Sequence, residues 1–348
     1  MARRPDVADL VARARGAEPR AVAQLLSLVD ADTTATADVL REVAAALAPH
    51  VGRAHVVGLT GSPGVGKSTS TSALVRLLRE RGRRVGVLAV DPSSPFSGGA
   101  LLGDRVRMGE HAGDDGVFIR SIATRGHLGG LARSAPQSVR VLDAAGFDLV
   151  LVETVGVGQS EIEVVGLADT TVVLLAPGMG DGVQTAKAGI LEVADLLVVN
   201  KADRAGAART VRELRNMLAF AERGEGAWAP PVVATAASRG EGIEELADRL
   251  DAHREWLDRT GGRKRRRSAR AGAEVRAITL ERVRAGIDGL GAGSLLPRLA
   301  ESVAAGELDP YRAADELLGA VGTEWSAAAP ADRDDALSAG TPAAGTPR

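Results

Sequence analysis

The chain has 348 residues, of which 45% are hydrophobic and 2% aromatic, with a formal net charge of −2 and no cysteine. This length allows one large α/β domain with helical additions, or two modest domains, and the lack of cysteine excludes disulfides, thiolate metal sites and cysteine nucleophiles. The small net charge provides no general attraction to nucleic acid or anionic membranes, and no signal-peptide or membrane-spanning pattern is found. We therefore expect a cytoplasmic protein that binds neither nucleic acid nor membranes.

The apolar pattern changes from helical to strand-like after about residue 50. Residues 1–50 show helical periodicity, for example at Val22, Leu25 and Val29. From residue 54 onward aliphatic runs alternate with amphipathic stretches, which predicts an α/β fold with a doubly wound, mainly parallel sheet. The seven predicted strands are 54–60, 84–90, 116–122, 148–153, 170–176, 195–200 and 231–235.

The composition changes again after residue 260. The segment 261–270, GGRKRRRSAR, contains the basic run from Arg263 to Arg267, which we interpret as an exposed linker because no aromatic or groove-reading context for nucleic acid surrounds it. Helical patterns then continue to 322, and 323–348 has the composition of a disordered tail. The predicted organisation is a helical segment 1–50, an α/β domain 51–260, a helical extension 261–322 and a tail 323–348.

A glycine-rich loop, GSPGVGKS at 61–68, follows the first predicted strand and precedes a predicted helix. Glycines let backbone N–H groups curl around a phosphate, and the helix adds its positive N-terminal end. Lys67 would reach the β- and γ-phosphates and Ser68 would ligate Mg²⁺. A plain strand–helix turn is the alternative, and the strand–loop–helix context favours a P-loop. The predicted phosphate-binding residues are Gly61, Ser62, Pro63, Gly64, Val65, Gly66, Lys67, Ser68 and Thr69.

A second polar loop is the candidate for recognising the base, with a plain strand-end loop as the alternative. Asn200-Lys201-Ala202-Asp203 follows a predicted strand at the carboxyl edge, where α/β proteins bind ligands. The Asp203 carboxylate can accept from both the ring N–H and the exocyclic amine of guanine, a donor pair that adenine lacks. Asn200 would connect neighbouring loops, and Lys201 would lie along the nucleotide. Thr235, Ala236 and Ala237 close the next strand and could offer N–H groups to the guanine oxygen. Domain 51–260 is thus predicted to be a P-loop GTPase that binds GTP and GDP.

Acidic residues near this loop are candidates for a magnesium site. Asp91 and Glu153 end predicted strands, and Asp104 lies in a loop-like segment. Mg²⁺ prefers octahedral oxygen ligands and keeps several waters, so one or two carboxylates beside Ser68 suffice. Capping of the following helices is the alternative role for these acids. The histidines His111 and His127 show no metal spacing and are interpreted as surface or loop residues.

Five further blocks of sequence resemble one family: DPSSPFSGGALLGDRVRM (91–108), RSIATRGHLGGLA (120–132), ETVGVGQSE (153–161), PGMGDGVQTAKAGILEVAD (177–195) and NKAD (200–203). In this order they are similar to the MeaB family of GTPase chaperones of adenosylcobalamin-dependent acyl-CoA mutases, which also carries the older transport-kinase name ArgK. The likeness runs from about 20 to about 320. Ala100, Arg105 and Ala236 depart from it, since relatives often carry Ser, Lys and Ser there.

The resemblance implies a homodimer held through the C-terminal helices, with GTP hydrolysis gating cofactor loading into a mutase such as methylmalonyl-CoA mutase. It implies catalytic roles for Lys67, Asp91 and Glu153, and a magnesium role for Ser68, Asp91, Asp104 and Glu153. It also implies that 180–187, with Asp181, Gln184 and Lys187, relays the nucleotide state to the client.

No adjacent glutamine or arginine is placed to orient water, because Gln159 lies three residues after Gly156. Slow intrinsic hydrolysis that the client accelerates is therefore expected. Three alternatives stay open: a metal-insertion GTPase, which would need Cys or His clusters, a kinase of a small molecule or transport protein, and an inactive interaction module.

Overall fold

The fold is seen in a computed structural model that describes residues 5–30, 37–91, 109–111, 113–123, 134–154, 164–178, 193–220, 224, 226–291 and 295–328. Among these residues the strands are β1 (His55–Thr60), β2 (Val85–Asp91), β3 (Val117–Ala123), β4 (Leu149–Glu153), β5 (Thr170–Leu175), β6 (Leu196–Val199) and β7 (Val232–Ala234). Each of the seven predicted strands is present, with its ends within one residue of the prediction.

The described strands form one sheet in the order β3-β2-β4-β1-β5-β6-β7, and every pairing is parallel. Strands β1, β4, β5 and β6 are buried along their whole length, which explains why most of their residues are aliphatic. In a parallel sheet all carboxyl ends lie at one edge. The carboxyl ends of β1, β4, β6 and β7 therefore lie at that edge, where the sequence analysis placed the Asn-Lys-Ala-Asp loop.

Helices cover both faces of this sheet. The helices of the described part are α1 (Val7–Arg15), α2 (Pro19–Asp30), α3 (Ala37–Leu47), α4 (Lys67–Glu80), α5 (Ala135–Ala144), α6 (Ala207–Phe220), α7 (Ile243–Arg259), α8 (Gly262–Gly291), α9 (Leu295–Ala304) and α10 (Pro310–Ala328). Helix α1 begins after Asp6, whose side chain accepts from the backbone N–H of Asp9 at 3.0 Å. Within the described residues, no helix has the length and apolar character needed to cross a bilayer.

The N-terminal helices belong to the same core as the sheet. Leu25 and Leu26 of α2 lie in one buried cluster with Val56 of β1, Leu88 of β2 and Val150 of β4. On the opposite face, α4 and α7 pack in a second cluster. The helical segment is thus a layer of the α/β body, and the chain divides into compact units only between residues 267 and 268.

The basic run is the first part of α8, so its interpretation as a linker was wrong. The Arg266 guanidinium donates to both carboxylate oxygens of Asp195, each at 2.7 Å. Arg267 donates to Asp169 at 2.7 Å and to the carbonyl oxygen of Ala54 at 2.7 Å. Both carboxylates are nearly or fully buried, so these arginines neutralise charges inside the body.

A chain of buried polar groups lies beside the ion pairs of Arg266 and Arg267. Thr170 Oγ1 is 2.7 Å from Nε2 of His55 and 2.8 Å from Nδ1 of His253, whose Nε2 is 3.4 Å from Asp195 Oδ1. Burial lowers the pKa of His55 to about 3 and that of His253 to about 4. The carboxylate of Asp169 opposes the shift at His55, and Arg254 and Arg263 add to it. Both histidines are therefore neutral near pH 7.

These histidines predict acid sensitivity of the fold. The pKa values of these histidines in the folded protein lie below the value of about 6.5 expected in the unfolded chain. Their contribution to the free energy of unfolding is therefore fully present above pH 6.5 and is lost as the pH falls toward 4. Each histidine contributes about 1.4 kcal/mol per pH unit in that window. Urea unfolding at pH 7 and pH 5 should show this loss, and His253→Gln should reduce the difference by about a third or more. The control His50→Gln, at the half-buried end of a 3₁₀ helix, should keep it. An unchanged pH dependence in His253→Gln would contradict the assignment.

Residues 268–348 form the second unit. Its described part contains the rest of α8, together with α9 and α10. Helix α10 continues to Ala328, into the segment 323–348 that was expected to be a tail, and residues 329–348 lie outside the described part. Large apolar side chains that are exposed in this unit are Val275, Ile278, Leu280, Leu296, Tyr311 and Leu318.

Candidate functional site

The glycine-rich loop connects β1 to α4 at the carboxyl edge of the sheet. Gly61, Gly64 and Gly66 all have positive φ, of 140°, 78° and 97°, and α4 begins directly after Gly66. Such angles are readily adopted only by glycine, which explains this spacing in the sequence. The loop therefore curls at the N-terminal, positive end of α4, the arrangement that binds phosphate.

Lys67 lies against its own loop. Its side chain is nearly buried, and Nζ donates to the carbonyl oxygens of Gly61 at 2.8 Å and Ser62 at 3.3 Å. The ammonium group is thereby held at the loop where phosphate oxygens would lie.

Glu153, at the end of β4, contacts the beginning of α4. Its Oε1 accepts from Ser68 Oγ at 2.6 Å, and its Oε2 accepts from Thr71 Oγ1 at 3.1 Å. Glu153 as a residue is 3% exposed. A hydroxyl group and a carboxylate, both hard oxygen donors, thus lie together beside the phosphate loop, as Mg²⁺ binding requires.

Asn200 joins three loops, as the sequence suggested. Its Nδ2 donates to the carbonyl oxygen of Val65 at 2.9 Å. Its Oδ1 accepts from Thr235 Oγ1 at 3.1 Å and from the N–H of Ala237 at 3.2 Å. This buried amide therefore fixes the loop after β7 and its own loop against the phosphate loop.

The next residues of this loop face the same space. Lys201 has a positive φ of 57°, unusual for a residue with a Cβ, and its Nζ donates to the carbonyl oxygen of Gly64 at 2.6 Å. Asp203 retains 24% exposure of its side chain, and its Oδ2 is 3.3 Å from a guanidinium nitrogen of Arg239. The partly exposed Asp203 carboxylate thus has a cationic neighbour, Arg239, that sequence reasoning did not identify.

The loop after β7 is less open than expected. The backbone N–H groups of Thr235, Ala236 and Ala237 donate to Val199 O, Glu241 O and Asn200 Oδ1, respectively. The predicted donation from this loop to a guanine oxygen would therefore require that one of these hydrogen bonds is exchanged.

Some predicted residues cannot be placed. Asp91 ends β2, but its side chain lies outside the described part, as do Asp104, His127, Gln159 and the segment 180–187. His111, which was interpreted as a surface or loop residue, is instead buried, and its Nε2 lies 3.0 Å from Ser72 Oγ of α4. The prediction was wrong because His111 packs against α4, which lies 39 residues earlier in the chain at Ser72.

Thr71 was not predicted as a site residue, although its spacing from Ser68 could have indicated its position near the site. It stands three residues after Ser68 and is therefore on the same face of α4. The sequence alone does not reveal that Glu153 approaches that face, because this contact joins residues 82 positions apart.

A phosphate loop after the first strand of a parallel sheet, tied by an asparagine to an Asn-Lys-Ala-Asp loop, defines a P-loop GTPase that binds guanine nucleotide. The chain belongs to the MeaB family, because the family described as methylmalonyl Co-A mutase-associated GTPase MeaB matches residues 22–289.

Individual relatives agree with this assignment. The chain is 44% identical over 312 residues to a protein of Pyrococcus abyssi named as a GTPase, covering 89% of this chain and 95% of that protein. It is 38% identical over 268 residues to the mouse mitochondrial methylmalonic aciduria type A homolog, covering 76% of this chain and 65% of that protein. The crystal structure of an LAO/AO transport system kinase is similar with a TM-score of 0.67 and 27% identity, covering 94% of this chain and 99% of that one.

Proposed function

We propose that this GTPase is a chaperone of an adenosylcobalamin-dependent acyl-CoA mutase, in which GTP hydrolysis gates loading and protection of the cofactor. Methylmalonyl-CoA mutase is the first candidate client. The description of the family and the five motif blocks support the choice of client. The proposal of nucleotide binding rests on the buried Asn200, which connects the phosphate loop with the base loop.

The nucleotide would lie along the carboxyl edge of the sheet. Phosphates would occupy the loop 61–66 at the start of α4, with Lys67 exchanging its contacts to Gly61 and Ser62 for β- and γ-phosphate oxygens. Asp203 would accept from guanine, and the aliphatic part of Lys201 would cover the ribose and base. Because phosphoryl transfer depends mainly on positioning and charge neutralisation, Lys67 would supply the protein's positive charge.

The residues present fit a magnesium ion. Ser68 donates its hydroxyl proton to Glu153, so it can offer lone pairs to a further partner, which is what a metal ligand must do. Asp91 and Asp104 are proposed as further oxygen donors, direct or through water. Bound Mg²⁺ would neutralise charge on the β- and γ-phosphates.

A homodimer through the second unit is part of the proposal. Exposed apolar side chains on α8, α9 and α10, including Val275, Leu296 and Tyr311, provide surface whose burial against a second copy is favourable.

Client-stimulated hydrolysis is the test of this function. The isolated protein should hydrolyse GTP slowly, because the sequence has no glutamine or arginine next to Gly156 to orient water, and apo methylmalonyl-CoA mutase should raise the turnover about tenfold or more. The measurement is phosphate release with and without the mutase, and Lys67→Ala should remain inactive in both. Equal turnover in the two conditions would contradict the chaperone role. A phosphorylated product in place of free phosphate would favour the kinase alternative.

A further inference from the structure

Two hydroxyl groups of one helix hold the carboxylate of Glu153. Ser68 donates to Oε1 at 2.6 Å, and Thr71 Oγ1 lies 3.1 Å from Oε2. Glu153 is 3% exposed and Thr71 is fully buried, so water has little access to replace either contact. Both oxygens, and with them the plane of the carboxylate, are therefore set by α4.

The length of the glutamate side chain makes this double contact possible. Glu153 is the last residue of β4 and pairs with Leu59 of β1 and Ala89 of β2. An aspartate at this strand end would place its carboxylate about 1.5 Å farther from α4. Its oxygens would then be too far from Ser68 Oγ and Thr71 Oγ1 for the hydrogen bonds that Glu153 accepts. Many GTPases have an aspartate at this position. The extra methylene of Glu153 brings its carboxylate within hydrogen-bond distance of Thr71.

We infer that Thr71 is a positioning residue of the magnesium–nucleotide site, an inference that rests on the proposed function of that site. Thr71 fixes Oε2 of Glu153, so that Oε1 stays directed at the Ser68 hydroxyl. The Ser68 proton is then held by the carboxylate, and the Ser68 oxygen is presented as a ligand. Thr71 acts through Glu153 and Ser68 and touches neither metal nor nucleotide itself.

Loss of the Thr71 hydroxyl should change the hydrogen bonding of Glu153 specifically. The single proton of the Thr71 hydroxyl faces two acceptors, Oε2 of Glu153 at 3.1 Å and the carbonyl oxygen of Lys67 at 3.0 Å, and the negatively charged carboxylate is the stronger of the two. That carbonyl lies four residues earlier in α4 and is the ordinary acceptor of the Thr71 backbone N–H. It keeps a donor when the hydroxyl is removed, whereas the Glu153 carboxylate has one donor fewer.

The test measures magnesium affinity by equilibrium binding. Fluorescent GDP is bound to the full chain while Mg²⁺ is titrated from an EDTA-buffered solution. In Thr71→Val, which keeps the shape, the Mg²⁺ concentration for half-maximal effect should rise about tenfold, as expected for loss of a partner behind a metal ligand. Thr71→Ser, which keeps the hydroxyl, should restore it to within about twofold. The affinity for GDP in EDTA should not change in either variant.

A matched control is available on the same helix. Ser70 is fully buried and its Oγ has no hydrogen-bond partner among the described residues, so Ser70→Ala should leave the Mg²⁺ dependence unchanged. In a Glu153→Gln background, Thr71→Val should have little further effect, because the two residues act as a unit. If Thr71→Val does not fold, Thr71→Ala takes its place in the same titration.

The outcomes separate the inference from the function on which it rests. A wild-type protein whose GDP binding does not respond to Mg²⁺ would refute the proposed site itself. A responsive wild type with equal Mg²⁺ dependence in the Thr71→Val variant would refute the role of Thr71 alone. Equal weakening in Thr71→Val and Ser70→Ala would do the same, since it would indicate a general effect of α4 packing.

Discussion

Asp203→Asn is expected to change the base that this GTPase prefers from guanine to xanthine. Guanine presents two donors, its ring N–H and exocyclic amine, and a carboxylate offers two acceptors for them. Asparagine offers one acceptor and one donor. It therefore faces the guanine amine with an N–H group, while the carbonyl oxygen that xanthine carries at that position can accept from it. The affinity for GDP should fall about 100-fold or more, because a polar group in the site is left unpaired.

The structure supports a specific effect on the base. Asp203 is partly exposed, and its ionic neighbour among the described residues is Arg239, whose side chain is 60% exposed. An exposed ion pair contributes at most about 1 kcal/mol to stability, so the variant should fold normally. The matched control is Arg239→Ala, which removes that neighbour and retains the carboxylate, and its GDP affinity should change by less than about tenfold.

Competition binding with GDP, XDP and ADP measures these changes. Unaltered preference for GDP in Asp203→Asn would show that the base is recognised elsewhere. A gain in ADP affinity would contradict the donor–acceptor argument, because adenine lacks the carbonyl oxygen that the new amide would contact.

Local patterns in the sequence were sufficient for the sheet and the phosphate loop. Parallel strands covered on both faces are mainly aliphatic, so β1, β4 and β5 could be identified from the local sequence pattern alone. The glycine spacing of 61–66 follows from backbone angles that only glycine adopts readily. These features are encoded within a few consecutive residues.

Contacts between distant residues could not be predicted in the same way. Arg266 and Arg267 look like part of a solvated basic run, because their acidic partners Asp195 and Asp169 lie 71 and 98 residues earlier in the chain. The same limit applies to Glu153, whose partner Thr71 becomes apparent only when β4 lies beside α4. The sequence therefore indicated which residue types could bind nucleotide and metal. The fold shows which of these residues, distant in the chain, are in contact with one another.

The glycines of the phosphate loop are expected to differ greatly in their tolerance of a side chain. At Gly61 a Cβ would overlap the carbonyl oxygen of Leu174 on β5, and φ is 140°. Backbone atoms of a central strand cannot move aside as a flexible side chain can, so Gly61→Ala should lower the free energy of unfolding by about 4 kcal/mol or more. Since the loop must also shift, GDP affinity should fall by about 1,000-fold or be lost altogether.

Gly64→Ala is the matched comparison for this effect. Gly64 also has a positive φ, of 78°, but a Cβ there would meet no described atom within 4 Å. Alanine then bears only the strain of the left-handed conformation, about 1–2 kcal/mol. Urea unfolding and GDP titration of both variants measure the difference. If Gly64→Ala were as damaging as Gly61→Ala, backbone angle alone would account for the glycines, and the close approach of the loop to β5 would not be what constrains the phosphate site.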